Sequence, residues 1–149
     1  MPEQINISFR IKNISTLEFI IKNMPEIETS DKNLFQFQIL PASFVEKENS
    51  AIGIDTVVDI FIDQEKQKKV CSLITRIIYD IVNFNDFVNT IDNSLNIPEQ
   101  FMHTLLSIAL STTRGILATK TEGTLLRDVF IPILNPMGFK PIDVSKIKQ

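Results

Sequence analysis

Cysteine and histidine are almost missing from this sequence of 149 residues, which contains one of each, Cys71 and His103. A single cysteine excludes an internal disulfide and any cysteine-based metal cluster built by one chain. Because Cys71 follows Val70 in an apolar stretch, we interpret it as a small core residue rather than a nucleophile. His103 has no second histidine to orient it, so we expect a partly exposed helix residue without a catalytic or metal-binding role. The sequence thus predicts no metal and no cofactor.

Glycine motifs that serve catalysis are missing as well. The four glycines form neither a Walker nor a Rossmann pattern, and no serine stands in a G-x-S-x-G turn. Asp55, Asp59 and Asp63 share one face of a predicted strand, but four residues of strand advance about 13 Å, too far to share one ion. They form either a solvated face or, together with Glu18, a docking strip for a basic partner. We predict that the protein is not an enzyme.

Long apolar runs and clusters of basic residues are also missing. No stretch approaches the roughly 20 apolar residues that span a bilayer, and the start, MPEQINISFR, has no basic region followed by an apolar one. The net charge is -3, and the 15 basic residues form no block that would neutralise phosphates. We therefore expect a cytoplasmic protein that neither inserts into a membrane nor binds nucleic acid.

A change of hydrophobic period is the clearest feature that the sequence does have. From Ile5 to about Phe84 apolar and polar residues mostly alternate, which is typical of strands, whereas from Pro98 to Ile116 apolar residues recur about every 3.6 positions, as in a helix. A sheet that precedes a helix indicates an α+β fold. With 44% apolar residues, the chain fits a single domain, residues 1–149.

The first half of the chain predicts four strands. An opening strand begins at Ile5 and is kinked, and a polar loop follows over residues 24–33. Three longer strands, at residues 34–45, 51–63 and 69–84, form an antiparallel meander with one strongly apolar face. Its register can be predicted, because a slip of one residue turns every side chain to the wrong face. The expected pairs are Phe35–Ile62, Phe37–Ile60, Ile39–Val58, Ile60–Cys71, Val58–Leu73, Thr56–Thr75, Ile54–Ile77, Asp63–Lys68, Asp59–Ser72 and Asp55–Arg76.

The opposite face of the meander is half apolar. Such a face is seldom left wholly to water, so we expect a second copy of the chain to cover part of it and the protein to be a homo-oligomer. The apolar residues on this face are Leu40, Val57, Phe61, Val70, Ile74 and Ile78.

The second half of the chain predicts a helix and an irregular arm. The helix opens near Pro98, which suits a first turn, and it ends at Arg114 and Gly115, where glycine takes the left-handed conformation and Arg114 reaches the last carbonyls. Prolines and glycines beyond residue 130 exclude a long helix or a central strand. Among 11 phenylalanines, Phe44, Phe130 and Phe139 fall in a predicted turn and in this arm. They either line a groove or pack in the ordinary way.

Several stretches, taken in order, resemble the SecB-like family, which includes the protein-export chaperone SecB. FRIKNISTLEFIIK, residues 9–22, resembles the first strand of that family, and QKKVCSLITRIIYDIVNF, residues 67–84, resembles its last strand. Residues 112–115, TTRG, resemble the end of its long helix, and FIPILNPMGF, residues 130–139, resembles its arm. The resemblance covers roughly residues 5–140.

The resemblance implies a four-stranded antiparallel sheet followed by a long C-terminal helix and a proline-rich arm. It also implies dimers or tetramers that hold unfolded polypeptides without ATP, in grooves floored by the sheet and a crossover loop and edged by the arm. The residues expected to bind such clients are Leu34, Phe35, Phe37, Phe44, Phe130, Ile133, Leu134, Met137 and Phe139.

The sequence departs from the SecB proteins that pass clients to the motor protein SecA. Glu18 keeps one acid of that docking surface, but Lys22 and Ser72 stand where two others would be, and the family's cysteine-containing zinc tail is missing. These departures argue against docking to SecA. The function expected is that of an ATP-independent holdase for unfolded polypeptides, in protein export or elsewhere. The alternative is a SecB-like oligomeric adaptor with one dedicated partner, such as a toxin–antitoxin component.

Overall fold

The structure is a computed structural model that describes residues 8–22, 35–62, 68–87, 96–124, 126–127 and 129–132. It has the predicted α+β fold, in which a four-stranded antiparallel sheet is followed by a long helix. The elements are β1 (Phe9–Ile21), β2 (Gln36–Glu46), β3 (Ala51–Phe61), β4 (Lys69–Ile81) and α1 (Glu99–Lys120), with short 3-10 turns at Lys47–Asn49 and Phe84–Phe87.

The strands lie in the order β1-β4-β3-β2, and every neighbouring pair is antiparallel. The predicted meander of β2, β3 and β4 is therefore confirmed. Its registers are confirmed too, since Phe37 faces Ile60 in one hairpin and Val58 faces Leu73 in the other. The alternation of apolar and polar side chains was enough to set these registers, because one face of the meander is buried.

The register between β3 and β4 shifts at one end of the hairpin. After Ile60 the next residue, Phe61, faces Lys69, and Val70 is left over as an extra residue. Val70 is 2% exposed and packs in the core beneath the helix, so its prediction on the opposite face is wrong. The predicted partner of Lys68, Asp63, lies outside the described residues.

Strand β1 is an edge strand that pairs only with β4 among the described strands. Its pairing is irregular at two points, between Ile11 and Asn13 and between Thr16 and Glu18, which confirms the predicted kink. Four large apolar side chains of β1 remain substantially exposed, at 44% to 48%. They are Ile11, Ile14, Leu17 and Ile20.

Helix α1 covers one face of the sheet, above β3 and β4, and the core divides into two clusters along its length. Cluster 1 lies under the first half of α1 and contains Val45, Ile52, Ile54, Ile77, Tyr79, Ile81, Phe84, Phe87, Phe101, Met102, Leu105, Leu106 and Ala109. Cluster 2 lies under the second half and contains Val58, Ile60, Val70, Cys71, Leu73, Leu117, Leu126, Val129 and Ile131.

A layer of threonines separates the two clusters. Thr56 and Thr75 face each other across β3 and β4, and both are 0% exposed. The hydroxyl oxygens of Thr75 and Thr113 lie 2.8 Å apart, and Thr113 Oγ1 donates to the carbonyl of Ala109 at 2.7 Å. Thr113 is therefore satisfied, whereas the buried Thr56 hydroxyl has no hydrogen-bond partner among the described residues.

Helix α1 begins where the sequence predicts, directly after Pro98, whose carbonyl accepts hydrogen bonds from the N–H groups of Phe101 and Met102. Neither α1 nor any other helix in the described part of the chain has the length and apolar character needed to cross a membrane.

The predicted end of the helix at Arg114 and Gly115 is wrong. Gly115 faces open space, so α1 continues through it at a cost of about 1 kcal/mol relative to alanine. Leu117 extends the apolar stripe of the helix and is buried in cluster 2. This packing stabilises the helical turns beyond Gly115. The helix ends instead at Lys120, and the next residue, Thr121, caps it: the Thr121 hydroxyl donates to the carbonyl of Leu117 at 2.8 Å. The glycine in the left-handed region is Gly123, with a φ of 77°.

Candidate functional site

Two phenylalanines form a partly exposed border to cluster 2. Phe35 precedes β2 and Phe37 lies within it, and both pack against cluster 2 while remaining only partly buried. Ile39 continues the same row, because side chains two residues apart on a strand point to the same face. The structure thus brings two of the predicted client-binding residues together beside a buried apolar core.

The segment that follows α1 completes the same cluster. We call residues 129–132 the arm segment; Val129 and Ile131 are buried in cluster 2. Arg114 Nε donates to the carbonyl of Ile131 at 2.9 Å, and its Nη2 donates to the carbonyl of Pro132 at 3.1 Å. The prediction that Arg114 reaches the last carbonyls of its own helix is therefore wrong, because the residue lies in mid-helix and its partners belong to the arm segment.

Phe130 is the most exposed aromatic side chain of the described residues, at 57%. It lies between Val129 and Ile131, which are buried in cluster 2, the cluster against which Phe35 and Phe37 also pack. The other predicted client-binding residues lie outside the described part of the chain. They are Leu34, Ile133, Leu134, Met137 and Phe139.

Phe44 lies on the other face of the sheet, away from this border. Its predicted position in a turn is wrong, because it lies in β2, opposite Gly53 of β3. Its ring occupies the space where a side chain at Gly53 would stand, and the guanidinium of Arg76 lies 4.9 Å from the ring centroid. Because side chains alternate along a strand, Phe44 cannot share a surface with Phe37. Its described contacts are those of a residue that packs on the sheet.

The predicted acidic strip lies on this same opposite face, and its described aspartates face basic side chains. Asp55 accepts two hydrogen bonds of 2.8 Å from the guanidinium of Arg76, and these bonds raise the pKa of Arg76 above its already high ordinary value. Asp59 lies 3.8 Å from a lysine ammonium on β4. Glu18 is exposed on β1, and Asp63 is outside the described residues. The pairing leaves less net negative charge on this face than the sequence predicts.

An open groove of about 460 Å³ runs between β1 and α1. Helical residues follow one another at about 100°, so groove-lining Thr112 lies about 200° around the helix from Arg114. The groove and the arm segment therefore occupy opposite flanks of α1. At its end the ammonium of Lys120 lies 5.9 Å from the ring of Phe19. The lining residues are Ile14, Ser15, Thr16, Thr112, Gly115, Ile116, Thr119 and Lys120.

No sequence pattern predicts this groove, although Gly115 carries a signal. The sequence favours a helix end at Gly115, but in mid-helix its missing side chain leaves space in the groove wall. The alternation of β1 marks Ile14 as a residue of the helix-facing side, yet only the tertiary structure shows that α1 stops short of this edge strand.

Cys71 and His103, the remaining chemically reactive side chains, are partly or fully buried. Cys71 is buried in cluster 2, and burial raises the pKa of its thiol to about 11, with a smaller contribution from the charge of Asp59. This agrees with its interpretation as a core residue. His103 is half-buried, with Nε2 3.8 Å from a carboxylate oxygen of Glu99. Among the described residues, no three His, Cys, Asp or Glu side chains are grouped as metal ligands.

Comparison with known proteins identifies the fold. No known protein family and no curated protein matches the sequence. The structure is similar to a SecB-like chaperone from Mycobacterium tuberculosis, solved in complex with a ChAD peptide from the HigA1 antitoxin, with a TM-score of 0.54, 14% identity, and coverage of 85% of this chain and 90% of that one. A protein of unknown function from Streptococcus agalactiae has a TM-score of 0.42 and 13% identity, over 87% of this chain and 98% of that one. The first similarity shows a SecB-like fold.

Proposed function

We propose that the protein is an ATP-independent holdase of the SecB-like kind, which binds non-native polypeptides through their apolar segments. Two observations support this most strongly: Phe35 and Phe37 pack against cluster 2 while only partly buried, and Phe130, between two residues buried in the same cluster, is 57% exposed. Where large apolar side chains form a contiguous exposed patch on a protein, that patch usually marks an interaction site. Because apolar burial is not directional, such a site accepts many sequences.

Phe130 offers the largest single gain on binding. A phenylalanine buries roughly 200 Å² when fully covered, and Phe130 is 57% exposed, so a client can remove roughly 100 Å² of its surface from water. At about 25 cal/mol per Å² this stabilises the complex by roughly 2.5 kcal/mol before the cost of ordering the client. One side chain therefore changes the affinity by an amount that a binding assay resolves.

The residues that we propose to contact a client are those predicted from the sequence, with the exception of Phe44. Phe44 is removed, because it lies on the opposite face and covers Gly53. Phe35, Phe37 and Phe130 remain, and we keep the predicted residues outside the described part of the chain in the proposed set. These are Leu34, Ile133, Leu134, Met137 and Phe139.

We propose in addition that a second copy of the chain associates along β1. This strand is the exposed edge next to β4, and an edge strand with large apolar side chains is a ready surface for pairing. Lysines at Ile11 and Ile14 would place charge on that surface. The double variant I11K/I14K should shift the native mass from oligomer to monomer; an unchanged mass would show that the copies meet elsewhere.

A dedicated polypeptide partner is the second candidate. The SecB-like chaperone whose fold the chain shares was solved with a peptide from an antitoxin. That complex is the observation that favours a dedicated polypeptide partner for this chain. Asp55 and Asp59 on the opposite face are paired with basic side chains, which leaves less negative charge there for docking to SecA. This pairing supports a partner other than SecA. The two candidates differ in breadth: a holdase protects several unrelated unfolded proteins, whereas an adaptor protects one.

Protection of unfolded proteins tests the proposal. Three chemically denatured enzymes are diluted into buffer without ATP, with and without a molar excess of this protein, and light scattering follows aggregation. We expect suppression for all three with the wild-type chain and weaker suppression with Phe130→Ala. Phe44→Ala, on the other face, is the matched control and should protect as well as the wild type. Failure to protect any of the three would contradict the holdase proposal.

A further inference from the structure

Arg114 joins the middle of α1 to the arm segment. Its guanidinium donates to two successive carbonyls, those of Ile131 at 2.9 Å and Pro132 at 3.1 Å. An arginine presents several N–H donors in one plane, so it can satisfy both carbonyls at once. A lysine carries a single ammonium at the end of a flexible stem and defines the geometry less well. The two hydrogen bonds therefore fix the backbone of the arm segment against the helix.

The arm segment is buried in an alternating pattern. Val129 and Ile131 are 8% and 3% exposed, whereas Phe130 between them is 57% exposed. A slip of one residue would turn Phe130 towards cluster 2 and its neighbours towards water. Because Arg114 holds both carbonyls, the segment cannot slide by one residue without losing its hydrogen bonds to the helix.

We propose that Arg114 is a positioning residue for polypeptide binding, which locks the arm segment in the register that displays Phe130 outward. This inference rests on the proposed function, and it names how one side of that binding surface is held in place. Arg114 acts through the arm segment and need not touch the client. Phe130, in contrast, is a contact residue. The two residues should therefore respond differently to substitution.

Cys71 provides a built-in probe for the position of the arm segment. It is the one cysteine of the chain, it is 1% exposed, and it belongs to the cluster that Val129 and Ile131 complete. A thiol reagent such as DTNB can reach it only when cluster 2 opens. Burial also raises the pKa of the thiol to about 11, so at pH 8 little thiolate forms in the closed state.

The experiment measures the DTNB labelling rate of Cys71 in the full-length protein at pH 8. Arg114→Gln removes the charge and leaves at most one donor group, at the level of the former Nε, for the two carbonyls, so we expect labelling to rise about tenfold or more through local opening of the arm segment. Arg114→Lys keeps the positive charge but not the planar guanidinium that donates to both carbonyls, and it should give a smaller rise in the labelling rate. Arg10→Gln is the matched control, because it removes an exposed arginine with a 3.2 Å ion pair on the edge strand; its labelling should equal that of the wild type.

Urea unfolding of each variant separates local opening from general destabilisation. If Arg114 has a purely structural role, the labelling rate of Cys71 should rise only as much as the loss of global stability, measured by urea unfolding, explains. A positioning role raises it further, at a urea midpoint close to that of the wild type. Phe130→Ala should leave labelling unchanged and reduce protection of aggregating clients, whereas Arg114→Gln should change both.

The outcomes distinguish this inference from the proposed function. Unchanged labelling in Arg114→Gln would overturn the inference, and so would faster labelling that the urea midpoint fully explains. Faster labelling with undiminished client protection would overturn the link to binding. If the wild-type chain protects no client, the proposed function fails, and the labelling rates alone decide whether Arg114 locks the arm segment.

Discussion

Replacing Thr56 with valine should make this protein more stable. Thr56 is 0% exposed, and its hydroxyl has no hydrogen-bond partner among the described residues. A buried hydroxyl that loses its water without gaining a partner costs about 1–3 kcal/mol. Valine has nearly the same shape and no hydroxyl, so the substitution removes this cost without opening a cavity. We expect the free energy of unfolding to rise by about 1–2 kcal/mol.

The neighbouring threonine provides the matched control for this prediction. Thr75 faces Thr56 across the hairpin, is equally buried, and lies 2.8 Å from the hydroxyl oxygen of Thr113. Because Thr113 already donates to the carbonyl of Ala109, the proton between the two threonines belongs to Thr75. Thr75→Val therefore removes a hydrogen bond that is made, and it should lower the stability by about 1 kcal/mol.

Urea unfolding at one fixed protein concentration measures both variants, since self-association would otherwise shift the midpoints. A rise for Thr56→Val and a fall for Thr75→Val would confirm that the threonine layer is satisfied on the helix side only. A loss of stability in Thr56→Val as large as that in Thr75→Val would refute the reasoning, because the Thr56 hydroxyl would then have a partner in solution.

Three further outcomes follow from the packing and charges of the sheet. Gly53→Ala places a methyl group where the ring of Phe44 lies and should lower the urea-unfolding free energy by about 1–3 kcal/mol; an unchanged value would mean that the ring moves aside freely. Asp55→Asn replaces one of the two oxygens that accept hydrogen bonds of 2.8 Å from Arg76 by an NH2 group, and it removes the charge from the other bond. It should lower the urea-unfolding free energy by about 1 kcal/mol, against less than about 0.5 kcal/mol for Asp59→Asn, whose ion pair is 3.8 Å long. Burial raises the pKa of Cys71 from 9.0 to about 11, so stability should fall as the pH rises across that interval, and Cys71→Ala should remove that part of the fall.

The meander could be predicted from sequence because its two faces differ so strongly in polarity. In the predicted register Val58 meets Leu73 and Asp55 meets Arg76, and a slip of one residue would place an aspartate against a leucine. The structure has these pairs. The same register also pairs residue 44 with Gly53, so the position of Phe44 on the opposite face was contained in the pattern. The prediction of a turn at Phe44 is wrong because the residue lies close to the predicted end of the strand, at residue 45, where strand and turn are hard to separate by pattern.

Other features depend on contacts between parts of the chain that are far apart, and no local pattern reveals them. The glycine after Arg114 favours a helix end locally, but the burial of Leu117 in cluster 2 outweighs it. The carbonyl partners of Arg114 lie 17 and 18 residues further along the chain. A local sequence pattern cannot reveal such distant partners, and it favours hydrogen bonds to carbonyls of the same helix. The groove beside β1 likewise depends on where α1 crosses the sheet.

The proposed function requires that Phe130 contacts a bound polypeptide, and site-specific photocrosslinking tests that contact most directly. Phe130 is replaced by the photoreactive residue p-benzoylphenylalanine, and the same replacement is made at Glu48, an exposed residue at the far turn between β2 and β3. Each protein is irradiated with an unfolded client that carries a label. We predict labelled crosslinks from position 130 and few or none from position 48. Equal crosslinking from both positions, or none from position 130, would contradict the central claim.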